Sequence, residues 1–136
     1  MSLFAGASGG LLGVMWHGLV SDPWLARVLP AGAGPRPQEP LSQMIAFAAA
    51  RTGAGVVLGA LYWASWGLIA IVGVPWYVVG SAFGVLCWAG AALPALSTLG
   101  MTGSFAVNTL RVHAVEWLAT CVAVGLACAY AWKRPA

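Results

Sequence analysis

Four ionisable side chains lie inside apolar stretches of the sequence: His17, Arg51, His113 and Glu116. Charge is costly in such surroundings, so groups of this kind are candidate functional sites by default. An arginine and a carboxylate can form an ion pair. Imidazoles change charge near neutral pH and can pass protons. Spacing gives a second reason to single them out. Thr109, His113, Glu116 and Thr120 follow one another at intervals of four, three and four residues, which puts them on one helical face. The rest of that helix is mostly Val, Ala, Leu, Trp and Cys. A polar stripe on an apolar helix is expected to face other helices, because lipid cannot satisfy it. The candidate intramembrane polar site is therefore His17, Arg51, Thr109, His113, Glu116 and Thr120.

Two readings of this cluster stand side by side. In the structural one, Arg51 and Glu116 pair and pin two helices together. In the functional one, the cluster is a polar pocket in which His17 and His113 titrate and Glu116 carries a proton. Two histidines on separate helices could also hold a haem, a pigment or a metal. A bare pair is a poor signature for any of these, and only Glu116 stands near enough to complete a metal site. No cofactor is expected, and His17 and His113 are the candidate metal ligands. Enzyme signatures are missing: there is no Gly-x-Ser-x-Gly, no phosphate loop and no His-Glu-x-x-His. No catalytic residue is assigned, and an enzyme is not expected.

The elements that position these residues follow from composition. The chain has 136 residues, of which 61% are hydrophobic and 7% charged. A soluble domain carries roughly 25% charged residues, and six Lys/Arg with three Asp/Glu cannot coat a water-facing surface of this size. That excludes a soluble globular domain, a disordered tail and a nucleic-acid binder. The expected class is an all-α integral membrane protein, a bundle of four transmembrane helices forming one domain. The spans are placed at 3–20, 41–72, 76–99 and 105–132, with a Pro/Gly-rich loop at 21–40.

Ser21-Asp22-Pro23 is read as the stop of the first span. Trp24-Leu-Ala-Arg-Val-Leu reads as a short interfacial helix. The second span is too long for one straight crossing of roughly 30 Å, so it should tilt or project. Gly73-Val-Pro75 makes a turn, Pro94 marks a kink, and Ser104 is the N-cap of the last span. Four spans put both termini on one face, side B, and the long loop on the other, side A. Counted along the helices, His17, Arg51, His113 and Glu116 all fall in the half nearer side A.

Helices associate in lipid by close packing. Glycine pairs four apart, Gly6/Gly10, Gly9/Gly13, Gly55/Gly59 and Gly80/Gly84, supply it, and packing within the chain is favoured over a subunit seam. Cys87, Cys121 and Cys128 read as small buried side chains. Tyr62, Trp63 and Trp66 read as an interfacial aromatic patch.

The glycine-rich first span with Gly13-Val-Met-Trp16-His17, the Trp-bearing loop and the last helix with His113 resemble small bacterial four-span families. That resemblance implies fold class alone. Gly9-Gly10-x-x-Gly13 is similar to the opening of small fluoride channels, but the Gly-Thr-x-x-x-Asn and Thr-Thr-Phe-Ser segments of that family are missing, and the channel reading is rejected. The expected role is a non-catalytic accessory or self-associating subunit of a membrane complex. A small transporter or proton-coupled permease subunit comes second, and a haem- or pigment-binding subunit third. The expected partners are the lipid bilayer and copies of itself or a larger complex, with no nucleic acid. The expected location is the bacterial inner membrane with termini in the cytoplasm.

Overall fold

The computed structural model describes residues 1–28, 40–65, 73–103 and 106–133. Four helices in it are long and apolar enough to cross a membrane: α1 (Ser2–Arg27), α2 (Leu41–Ala64), α3 (Trp76–Met101) and α4 (Val107–Lys133). The protein is an all-helical, four-helix membrane bundle. Each helix satisfies its own backbone hydrogen bonds, as a bilayer requires.

The packing is not a square of four equal neighbours. α4 is the hub and meets each of the other three helices, while α1 also lies along α2. Glycines set these approaches. A Cβ at Gly10 would lie 2.5 Å from the Arg51 carbonyl oxygen, and one at Gly9 2.6 Å from Val124 Cγ2. Gly6 faces Gly55 and Gly59, and Gly13 sits against the Thr120 side chain. α1 thus turns one glycine stripe to α2 and another to α4. On α3, Gly80 and Gly84 lie on the backbone of Gly125 and Cys121. Every glycine pair of the sequence is used inside the chain.

The apolar core fills the side-B half. Tyr62 from α2 meets Phe83 from α3 edge-on at 4.9 Å, with Val124, Cys128 and Ala129 of α4 around them. Tyr62 is therefore a core residue and not an interfacial one, because its ring packs on Phe83 of α3 and the apolar face of α4. Trp63 is exposed, and Trp66 lies outside the described residues. Cys121 and Cys128 are buried and Cys87 half-buried, all as free thiols.

Three boundaries differ from the sequence expectation. The first span does not stop at Val20, and there is no separate interfacial helix at Trp24. Helix continues through Asp22-Pro23 by way of a π-helical turn, His17–Ser21, in which the Asp22 N–H bonds the His17 carbonyl. A proline removes one helical donor and crowds the carbonyl four residues back. The wider π turn takes the backbone round that ring, and the low-dielectric surroundings favour keeping the ladder over breaking it. α3 repeats the device. Its π turn, Trp88–Ala92, precedes Pro94, with the Leu93 N–H on the Trp88 carbonyl. The expected kink at Pro94 is thus a π turn.

The second difference is the length of α2. Its helix ends at Ala64, with Ser65 closing the last turn on Leu61. Twenty-four residues rise about 36 Å, which crosses a bilayer with modest tilt, so the helix does not have the excess length the sequence suggested. The rest of the expected span, 66–72, lies outside the described residues. So do the loop at 29–39, Ser104 with Phe105, and residues 134–136. Third, α3 runs on to Met101, two residues past the expected end. Gly73, with φ of +90°, makes the turn that precedes Pro75 and α3.

Candidate functional site

His17 stands seven residues after Gly10, which faces α2, and four after Gly13, which faces α4. It therefore points to the seam between α2 and α4, where the glycines have already drawn the backbones together. At that seam Glu116 of α4 is fully buried, with 0% of its surface exposed, and Arg51 of α2 is 5% exposed. Arg51 Nη2 donates to Glu116 Oε1. The second carboxylate oxygen, Oε2, lies 3.0 Å from His17 Nδ1 and 3.4 Å from His113 Nδ1. One buried carboxylate thus collects an arginine and two histidines from three helices.

The Arg51 guanidinium is also held by aromatic faces. Its Cζ lies 4.1 Å from the Trp117 ring centroid and 5.2 Å from that of Phe47. Cation–π contacts of this kind partly replace lost hydration. Its other terminal nitrogen, Nη1, is buried and has no hydrogen-bond partner among the described residues. Such a donor costs about 1–3 kcal/mol when neutral, and more when charged.

On α1 the cluster leads outward through His17. His17 Nε2 lies 3.6 Å from Asp22 Oδ1, and the Asp22 side chain is 46% exposed. Asp22 is the site residue that the sequence reading missed, having been read as a helix stop. Residues five apart stand about 140° apart on a regular helix. The π turn between them has a wider period and brings them to one face. Asp22, His17 and Glu116 then form a line from half-exposed to fully buried carboxylate, with an imidazole between them.

The remaining members have lesser parts. The Thr120 hydroxyl donates to the Glu116 backbone carbonyl at 2.9 Å and packs on Gly13, so it shapes the seam without reaching the carboxylate. Thr109 shares the stripe of His113 but takes no part in the network among the described residues. Trp88, at the start of the second π turn, donates from Nε1 to the Ala114 carbonyl at 2.8 Å. That bond fixes α3 on α4 at the level of His113. Among the described residues no three His, Cys, Asp or Glu side chains converge as metal ligands. His17 faces carboxylates with both ring nitrogens, and His113 with one. No family model, curated protein or solved structure matches the chain.

Proposed function

We propose that this protein is a small proton-coupled transporter or permease subunit, with Glu116 as the residue that takes up and releases the proton. The line Asp22–His17–Glu116 carries this reading. Pinning α2 to α4 requires Arg51 and Glu116 alone. It does not require an imidazole at 3.0 Å from the second carboxylate oxygen, nor a half-exposed carboxylate beyond it. An imidazole between two carboxylates can accept a proton on one nitrogen and release one from the other. Arg51 sets the charge against which Glu116 ionises. The core of Tyr62, Phe83 and Val124 closes the side-B half, so proton exchange runs with side A alone in this state. Release to side B belongs to a second conformation, and the π turns of α1 and α3 are the sections where such helices change register.

In this reading the chain lies in a bacterial inner membrane with its termini in the cytoplasm. Lys133, the last residue of α4, and Arg134 after it flank side B, matched in number by Arg27 and Arg36 on side A, so the orientation belongs to the proposal and not to the Lys/Arg count. Side A then faces the compartment from which protons enter.

The test uses purified protein in liposomes. Infrared spectra are recorded across pH, and an internal dye follows proton uptake under an imposed potential. We expect a carboxylic-acid C=O band that titrates and is lost in Glu116→Gln, proton uptake above empty liposomes, and slower uptake in His17→Phe. A wild-type protein with no titrating band and no uptake above empty liposomes would leave the cluster a structural pin.

A further inference from the structure

Glu116 Oε2 meets two imidazoles, and they belong to different helices. His17 Nδ1 of α1 lies 3.0 Å away and His113 Nδ1 of α4 lies 3.4 Å away. The two rings are parallel to within 7°, with centroids 6.5 Å apart. Proton transfer needs roughly 2.6–3.2 Å between heavy atoms. His17 meets that as it stands, and a small turn of the half-buried His113 ring closes the remaining gap. The α1 line depends on the π turn that brings Asp22 to His17. The α4 contact needs no such device, because residues three apart share a face of a regular helix. His113 also moves with Glu116, whereas His17 moves with α1.

His113 leads towards side A. Its side chain is 30% exposed, against 23% for His17 and 0% for Glu116. It stands six residues after Val107, the first of α4, which is about 9 Å along the helix. The 27 residues of α4 rise about 40 Å against a hydrocarbon core of roughly 30 Å. With that excess shared between its ends, His113 lies within about one turn of the head groups. Thr109, half-buried on the same face, and the exposed Arg111 continue the polar surface outward. Among the described residues, the charged and titratable groups around His113 are Glu116 on its own helix, His17 of α1 and Arg51 of α2, while α3 brings Leu96 and Leu99 to the same cleft.

We propose that His113 is a second proton relay to Glu116, running along α4 in parallel with the His17–Asp22 line on α1. The assignment rests on the reading of Glu116 as the proton carrier. An ionised carboxylate only accepts hydrogen bonds, so the His113 nitrogen that bonds it, Nδ1, carries the ring proton and Nε2 the lone pair. A proton from side A binds Nε2, the Nδ1 proton passes to Glu116 Oε2, and the ring is neutral again with its proton on Nε2. Release is the same sequence reversed, so the ring returns to its first tautomer and the cycle closes.

The experiment times the Glu116 carboxyl band by infrared spectroscopy after a pH jump, with the protein in phosphatidylcholine nanodiscs. In the otherwise native chain, His113→Phe should slow the response about twofold or less, because the His17 line remains; in a His17→Phe chain it should slow it about tenfold or more. A histidine that only holds the helices would slow both chains by one factor. His113→Asn places an amide N–H where Nδ1 stands but has no second nitrogen to take up a proton. In the His17→Phe chain it should be as slow as His113→Phe. Because it keeps the hydrogen bond to Oε2, it decides the question alone where the Phe pair loses the band. The relay is overturned if His113→Phe has the same effect in both chains or none in either, or if His113→Asn leaves the His17→Phe rate unchanged. A native chain whose Glu116 band does not titrate would overturn the proton-carrier reading itself and the relay with it. That result is distinct from an indifferent His113 beside a band that does titrate.

Discussion

Glu116 has no surface of its own, and its two oxygens serve different purposes. Oε1 is committed to Arg51, whereas Oε2 lies among imidazoles. Removing either ionic partner strands the other in a low-dielectric seam at a cost of ~3–5 kcal/mol, while replacing both by apolar residues of similar volume is far less damaging. Arg51→Met and Glu116→Leu should therefore each destabilise by that order, and the double variant should recover most of the loss. Reversible unfolding in mixed micelles measures the cycle. Additive losses would mean that the two side chains do not interact. The meeting of His17, Arg51, His113 and Glu116 was legible in the sequence, because residue counts along four crossing helices translate directly into depth. Asp22 was not legible, because its approach to His17 depends on a π turn, and hydrophobic periodicity carries no signal for one extra residue in a turn.

At the scale of the helices, glycine is the adhesive, and its contacts sort the glycines into two kinds. A Cβ at Gly84 would lie 2.6 Å from the Cys121 carbonyl oxygen, and one at Gly80 2.7 Å from that of Gly125. Both obstacles are backbone atoms, so only separation of α3 from α4 could relieve them. Gly53 and Gly18 meet nothing within 4 Å. Gly84→Val should destabilise by at least the ~1–3 kcal/mol typical of overpacking. Gly53→Ala should be neutral or stabilise by up to ~1 kcal/mol, through the helix propensity gained. Thermal unfolding in one detergent compares the two, and equal effects would mean that α3 and α4 are not held at this seam. The pairs at four-residue spacing announced themselves in the sequence. Gly125 did not, because it lies between Cys121 and Ala129 with no glycine one turn away. The helix ends were legible at Pro40 and Pro75, which precede α2 and α3 and whose carbonyls accept from the first turn. Pro23 and Pro94 obey a different rule: in lipid a proline bends the ladder where in water it would end it.

At the scale of the whole molecule, the number of crossings decides which face each end of the bundle meets. An even number of crossings puts Arg27, at the end of α1, and Lys133, at the end of α4, on opposite faces; both are exposed. Arg27→Cys and Lys133→Cys should therefore react with a membrane-impermeant maleimide from opposite sides in sealed vesicles. The native Cys121 and Cys128, buried in the bundle, should not react from either side. Labelling of both positions from one face would mean an odd number of crossings and would undo the bundle's topology. The same vesicles connect topology to chemistry. Asp22 lies five residues before Arg27 on the same helix, whereas the core of Tyr62, Phe83 and Val124 lies between Glu116 and the opposite face. A pH step applied on the face that labels Arg27→Cys should change the Glu116 carboxyl band at once. The same step on the face that labels Lys133→Cys should change it only after protons have equilibrated across the membrane. Equal speed from both sides would mean that the apolar half does not seal, and Glu116 would then sit in a water-filled passage instead of at the closed end of a one-sided route.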